Sequence, residues 1–144
     1  MSQQKLAKVL GYAGLIPFVF FSLLSWVDYT LVKDPHYYLI SYAAIILSFM
    51  GAIHWGVAMS NVSDKSNQQL GISVIPPLLA WLALLLPVIY GYGILIISFS
   101  FLCLMDKALN KRGVLPEWYY PMRVILTYVV VLCLIAASLA LTSA

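Results

Sequence analysis

Charge is what this sequence has least of. Its 8 Lys and Arg and 5 Asp and Glu make up 9% of 144 residues, against roughly a quarter in soluble domains. So few polar groups cannot clothe a water-facing surface, which excludes a soluble globular domain, and no basic run is long enough to track a nucleic-acid backbone. Histidine and cysteine are as scarce, with two of each. The alternating path described below puts His36 and His54 at opposite faces, so they cannot share a metal or flank one haem; single-histidine haem ligation stays open but has no further signature. Cys103 and Cys133 fall at different depths and are expected to be free thiols, because a disulfide needs Cα atoms within roughly 7 Å. There is no Ser nucleophile elbow, no His-Glu-x-x-His and no phosphate-binding glycine loop; Gly91-Tyr-Gly93 is too short and too hydrophobic to count. No internal repeat and no charge at mid-membrane point to alternating access within one protomer. The expectation is no catalytic residue, no metal and no cofactor.

What the chain has instead is apolar length, with 63% of its residues hydrophobic. Five segments separate at polar or turn-rich breaks: residues 7–27, 37–60, 71–88, 91–105 and 122–141, most of them near the roughly 20 residues that a helix needs to cross the hydrocarbon core. The expected fold is an all-α bundle of about five transmembrane helices, a single integral membrane domain over 1–144. The first segment is longer than a secretory h-region, lacks a small-residue cleavage site and is followed by further spans, so it reads as a true span behind a short tail. Segments three and four, joined by Ile89 and Tyr90, form a tight hairpin. Pro76 and Pro77 favour a helix that starts near Ile75, and only about thirteen residues then remain before Pro87, roughly 20 Å. The hairpin therefore either spans fully or is re-entrant.

Orientation follows from Lys and Arg. Lys5, Lys8, Lys65, Lys107, Lys111, Arg112 and Arg123 fall on one side of this path and Lys33 alone on the other. Short loops rich in positive charge stay on the cytoplasmic side, so the N-terminus is expected there, in a bacterial inner membrane. Aromatic residues agree: Trp26, Tyr29, Tyr37, Tyr38, Tyr90 and Tyr92 collect near the outer interface, and Trp55, Trp118, Tyr119 and Tyr120 near the inner one.

Two patterns bear on function. Ala44, Ser48, Ala52, Gly56 and Ser60 recur every fourth residue, a small-residue ridge suited to close helix packing, within the monomer or between copies. His54, Asp106 and Arg123 are expensive where they sit, near the cytoplasmic ends of their segments, and an Asp106–Arg123 ion pair with His54 nearby would satisfy all three. The plainer alternative makes Asp106 and Arg123 interfacial anchors and His54 a partner to a carbonyl. Trp81, deep in the third segment, is a packing residue or, with Trp55, part of a pocket wall.

The runs Leu10-Gly-Tyr-Ala-Gly-Leu-Ile-Pro-Phe18, Ser48-Phe-Met-Gly-Ala-Ile-His-Trp-Gly-Val-Ala58 and Ile75-Pro-Pro-Leu-Leu-Ala-Trp-Leu-Ala83, with Asp106-Lys107, Leu115-Pro-Glu-Trp-Tyr119 and Arg123, resemble a domain-of-unknown-function family of small bacterial inner-membrane proteins. Animal transmembrane protein 69, a mitochondrial relative, is similar to that family as well. The resemblance covers nearly the whole chain and implies a polytopic membrane protein of bacteria or mitochondria, with no activity to carry over. Two functions fit: an accessory or assembly protein that uses the small-residue ridge to meet a membrane-protein partner or a second copy, or a pocket of His54, Trp55, Trp81, Asp106 and Arg123 for a quinone or an anionic lipid headgroup at the cytoplasmic leaflet.

Overall fold

The computed structural model describes residues 1–27, 34–60 and 65–143. Tyr29, Lys33 and the loop residues 61–64, on which part of the charge and aromatic pattern rests, lie outside them. The described residues form seven α-helices: α1 (Gln3–Ala13), α2 (Ile16–Leu24), α3 (Pro35–Met59), α4 (Ser66–Ser73), α5 (Ile75–Leu85), α6 (Val88–Lys111) and α7 (Tyr119–Ser143). They make five stretches long and apolar enough to cross a membrane, because α1 with α2 and α4 with α5 each run as one broken span.

Both breaks have the same cause. Pro17 and Pro76 sit in the first turn of α2 and α5, where their missing N–H is tolerated, so the preceding helix must stop just before them. At the first break the Gly14 carbonyl accepts a hydrogen bond from the Tyr42 hydroxyl at 2.9 Å, which ties the joint to α3. At the second, α5 does begin at Ile75, but α4 precedes it: Gly71 to Ser73 belong to the third segment read from the sequence, and Ser66 to Leu70 extend the helix back into the polar break between the second and third segments. Ser66–Leu85 is 20 residues, about 30 Å at 1.5 Å per residue, enough by length for a complete crossing.

The hairpin turns at Leu86 and Pro87 rather than at Ile89 and Tyr90. Leu86 is extended, as a residue before proline prefers, and Pro87 caps α6. Helix α6 also continues past Met105 to Lys111, so Asp106 lies a turn and a half inside a helix instead of at its exit. It stops where Gly113, at φ 69°, takes the left-handed conformation that lets the Val114 N–H return to the Leu109 carbonyl.

Helix α3 is the centre of the bundle, packed by α2, α4, α5 and α6, while α7 closes the far side against α6 and α2. Its inward stripe is Leu39, Ala43, Leu47, Gly51, His54 and Ala58, a helical repeat. The core joins this stripe to Phe18 of α2, Tyr92, Leu95, Phe99 and Leu102 of α6 and Leu134 of α7. Tyr92, expected at the interface, is inside it, with its hydroxyl 2.8 Å from His36 Nδ1.

The small-residue ridge does not act as one surface. Ala44 is in the core and Ser48 is half-buried, but Ala52, Gly56 and Ser60 are exposed. A step of four residues overshoots one turn by about 40°, so four such steps carry a strict i, i+4 series about 160° around the helix, from the inner face to the outer. The close approach inside the bundle is made at Gly51, where a Cβ would stand 3.1 Å from both Pro76 Cβ and the Ser73 carbonyl.

A buried charge cluster and a neighbouring cavity

The end of the bundle where α3 and α6 finish and α7 begins holds the most expensive side chains in the protein. Asp106 is 1% exposed, His54 0% and Arg123 3%. Charged groups at such burial must neutralise one another, since burial strips away the solvent that would otherwise stabilise each charge. The Asp106 carboxylate divides its two oxygens: Oδ1 lies 2.8 Å from His54 Nε2, and Oδ2 accepts from Arg123 Nε at 2.7 Å. The Gln69 side-chain amide donates to His54 Nδ1. This leaves the ring proton of a neutral histidine on Nε2, directed at Asp106. The carboxylate thus stands between the guanidinium and the imidazole, and the cluster joins α3, α4, α6 and α7.

The ion pair expected from the sequence, with His54 beside it, is therefore present. The two tryptophans expected near it are not: Trp55 is 48% and Trp81 61% exposed, on the outer faces of α3 and α5. In lipid an outward tryptophan is as well solvated as an inward one, so its apolar setting carried no directional signal. Gln69 was missed because a run of polar residues, Ser66 to Gln69, reads as loop. The signal that could have found it is the pair Gln69 and Ser73, buried at i, i+4 on one side of α4.

Against α7, next to this cluster, lies a cavity of about 330 Å³ bounded by α1, α2, α3 and α7. Its wall is almost wholly apolar, with Arg123 and Tyr119 among its lining residues. Arg123 Nη2 and the Tyr119 hydroxyl are both buried without a hydrogen-bond partner among the described residues. Tyr119, read from sequence as an interfacial aromatic, is thus a second residue the sequence did not assign to the site. Cys103 and Cys133 are free thiols, half-buried on α6 and α7.

Residues 3–139, nearly the whole chain, match the family described as "Protein of unknown function (DUF3429)". The chain belongs to the DUF3429 family. It is also similar to Transmembrane protein 69 of Xenopus tropicalis, 35% identical over 135 residues, which are 92% of this chain and 53% of the frog protein. The chain thus spans about half the length of the curated relative it matches. No solved structure matches it.

In this DUF3429 protein Gln69 is the one cluster member on α4, and its removal isolates a single hydrogen bond. Gln69→Leu is expected to destabilise the bundle by about 1–2 kcal/mol, the cost of leaving His54 Nδ1 without a donor in a dry site. Unfolding titrations in mixed detergent micelles, wild type beside variant, measure it; an unchanged midpoint would mean that the amide does not hold the ring.

Proposed function

We propose that this protein is a non-catalytic accessory or assembly protein of a bacterial inner membrane, N-terminus cytoplasmic, which offers the outward small-residue patch of α3 to a transmembrane helix of a partner. One observation carries this reading. Ala52, Gly56 and Ser60 are exposed, and a Cβ at Gly56 would meet nothing within 4 Å. Gly71 on α4 and Gly93 and Ser100 on α6 are small and exposed as well, but among the described residues no other helix exposes three small residues at successive turns, and large side chains such as Leu78 and Leu85 on α5, Ile97 and Leu104 on α6 and Tyr128 and Leu132 on α7 dominate their outer faces. A face that meets only lipid gains nothing from small residues, whereas a helix that approaches closely requires them. Phe49, Trp55 and Met59 flank the patch and supply apolar area around such a contact.

The charge cluster supports a structural role beside this surface. Each of its four members has a partner within the chain, so it latches helices together and leaves no activated nucleophile or base. The rival pocket of His54, Trp55, Trp81, Asp106 and Arg123 has less support, because both tryptophans point away from the other three. The seven-to-one split of Lys and Arg supports the orientation.

Cysteine cross-linking in native membranes tests the docking face. With Cys103 and Cys133 replaced by Ala, Gly56→Cys is expected to give a discrete adduct with a short bismaleimide, either a dimer of this chain or a larger species containing another membrane protein. Leu132→Cys on α7 is the control and is expected to give none. Equal yields at the two positions would sink the proposal.

A further inference from the structure

The cavity against α7 has a shape and a position that helix docking on α3 does not explain. Packed interiors hold few voids larger than a water molecule. This one, of about 330 Å³, exists because α1 stands off: it buries no residue and packs against α7 only thinly. Ala7, Ile53, Trp118 and Tyr119 line one end of the space, and Ile46, Phe99 and Val130 line the other. The second group falls at the middle of α3, α6 and α7. The cavity therefore runs along the helices, from the end of the bundle to its centre. Tyr119 to Val130 on α7 covers about 17 Å at 1.5 Å per residue, close to the roughly 15 Å of hydrocarbon in one leaflet. Over that length the volume gives a section of about 20 Å². A helix roughly 10 Å across cannot enter such a space, and one extended hydrocarbon chain can.

The wall is as selective as the shape. The Tyr119 hydroxyl and Arg123 Nη2 are buried and Arg123 Nε is held by Asp106 at 2.7 Å, so the lining that an occupant meets is almost wholly apolar. Polar recognition begins only beyond Ala7, where α1 starts. Gln3 and Gln4 precede Ala7 by one turn on the cavity side of α1, Lys8 flanks it half-buried, and Lys5 lies on the opposite face. Residues 1–27 contain no Asp or Glu. Among the described residues the other charges at this end of the bundle are Lys65, Lys107, Lys111 and Arg112 against Glu117, with Asp106 and Arg123 paired to each other. Basic residues at the edge of the hydrocarbon attract anionic headgroups.

We propose that the cavity holds one acyl chain of an anionic phospholipid, seated between α1, α3 and α7 from the end of the bundle to its midplane, with the phosphate at Lys8 and Gln4 where α1 begins. The chain replaces contacts that the stand-off of α1 leaves unmade, and the phosphate fixes its depth.

Native mass spectrometry of the full chain, stripped of lipid in detergent and titrated with dioleoylphosphatidylglycerol, dioleoylphosphatidylcholine or decylubiquinone, counts what is retained. One phosphatidylglycerol is expected to bind saturably, several-fold more tightly than phosphatidylcholine. Gly11→Leu fills the space from α1, where a Cβ stands 3.4 Å from Met122 Sδ, and is expected to weaken both lipids at least about tenfold. Leucine also favours the helix, and α1 buries nothing that the change would displace. Lys8→Gln leaves the cavity intact and is expected to weaken phosphatidylglycerol about fivefold with phosphatidylcholine unchanged, whereas Lys107→Gln, on the outer face of α6, is expected to change neither. Equal retention by wild type and Gly11→Leu would mean that lipid only surrounds the bundle, and would overturn the site. Equal affinity for the two phospholipids, or equal losses from Lys8→Gln and Lys107→Gln, would overturn the anionic head, and tighter binding of decylubiquinone than of either lipid would overturn the phospholipid.

Discussion

Asp106→Ala is expected to cost the bundle about 3–5 kcal/mol, the largest single-residue effect outside the backbone contacts. The carboxylate holds His54 at 2.8 Å and Arg123 at 2.7 Å, and its removal leaves a guanidinium buried in a low-dielectric interior without a counter-charge. That uncompensated charge, more than the lost hydrogen bonds, dominates the effect. A double replacement therefore behaves differently from a single one: Asp106→Leu with Arg123→Met removes both charges and is expected to recover most of the stability, because a matched apolar pair needs no desolvation. Equilibrium unfolding in sodium dodecyl sulfate, read for both single variants and the double, gives the coupling directly. If the double variant is as unstable as Asp106→Ala, the pair is not what holds α6 to α7.

Gly91→Ala is expected to destabilise by about 1–3 kcal/mol, while Gly93→Ala, two residues along the same helix, is expected to be neutral or stabilising by up to about 1 kcal/mol. A Cβ at Gly91 would meet Ile40 Cδ1 of α3 and stand 2.7 Å from the Ala83 carbonyl of α5. The isoleucine can turn aside; the carbonyl belongs to helix backbone and cannot. Gly91 therefore sets how closely α5 and α6 approach behind their two-residue turn, and the methyl drives them apart. At Gly93 nothing lies within 4 Å, so the added methyl only improves helix propensity. Comparing the two melting temperatures in one detergent cancels the effect of the micelle. Equal changes at the two positions would mean that the hairpin is not packed through Gly91.

The sequence by itself determined the class and a count of about five, with the third and fourth segments left as spanning or re-entrant. Uncharged runs near twenty residues long admit only helices in lipid, because every backbone group must be satisfied within its own segment, and five such runs give five spans. It also raised the meeting of Asp106, Arg123 and His54 as one of two readings, because charges in a medium that cannot solvate them tend to pair, and the tertiary structure decided for it over interfacial anchoring. Tertiary structure alone decided which face of each helix looks inward. In a soluble protein polarity marks the two faces, but lipid and core are equally apolar, so Trp55 and Trp81 could point out, the ridge from Ala44 to Ser60 could wind from inside to outside, and Gln69 could pass for a loop residue without any breach of pattern. The cavity, too, was beyond the sequence, because it depends on how far α1 stands from α3 and α7, a distance set by packing shape and not by the hydrophobicity of any residue that lines it.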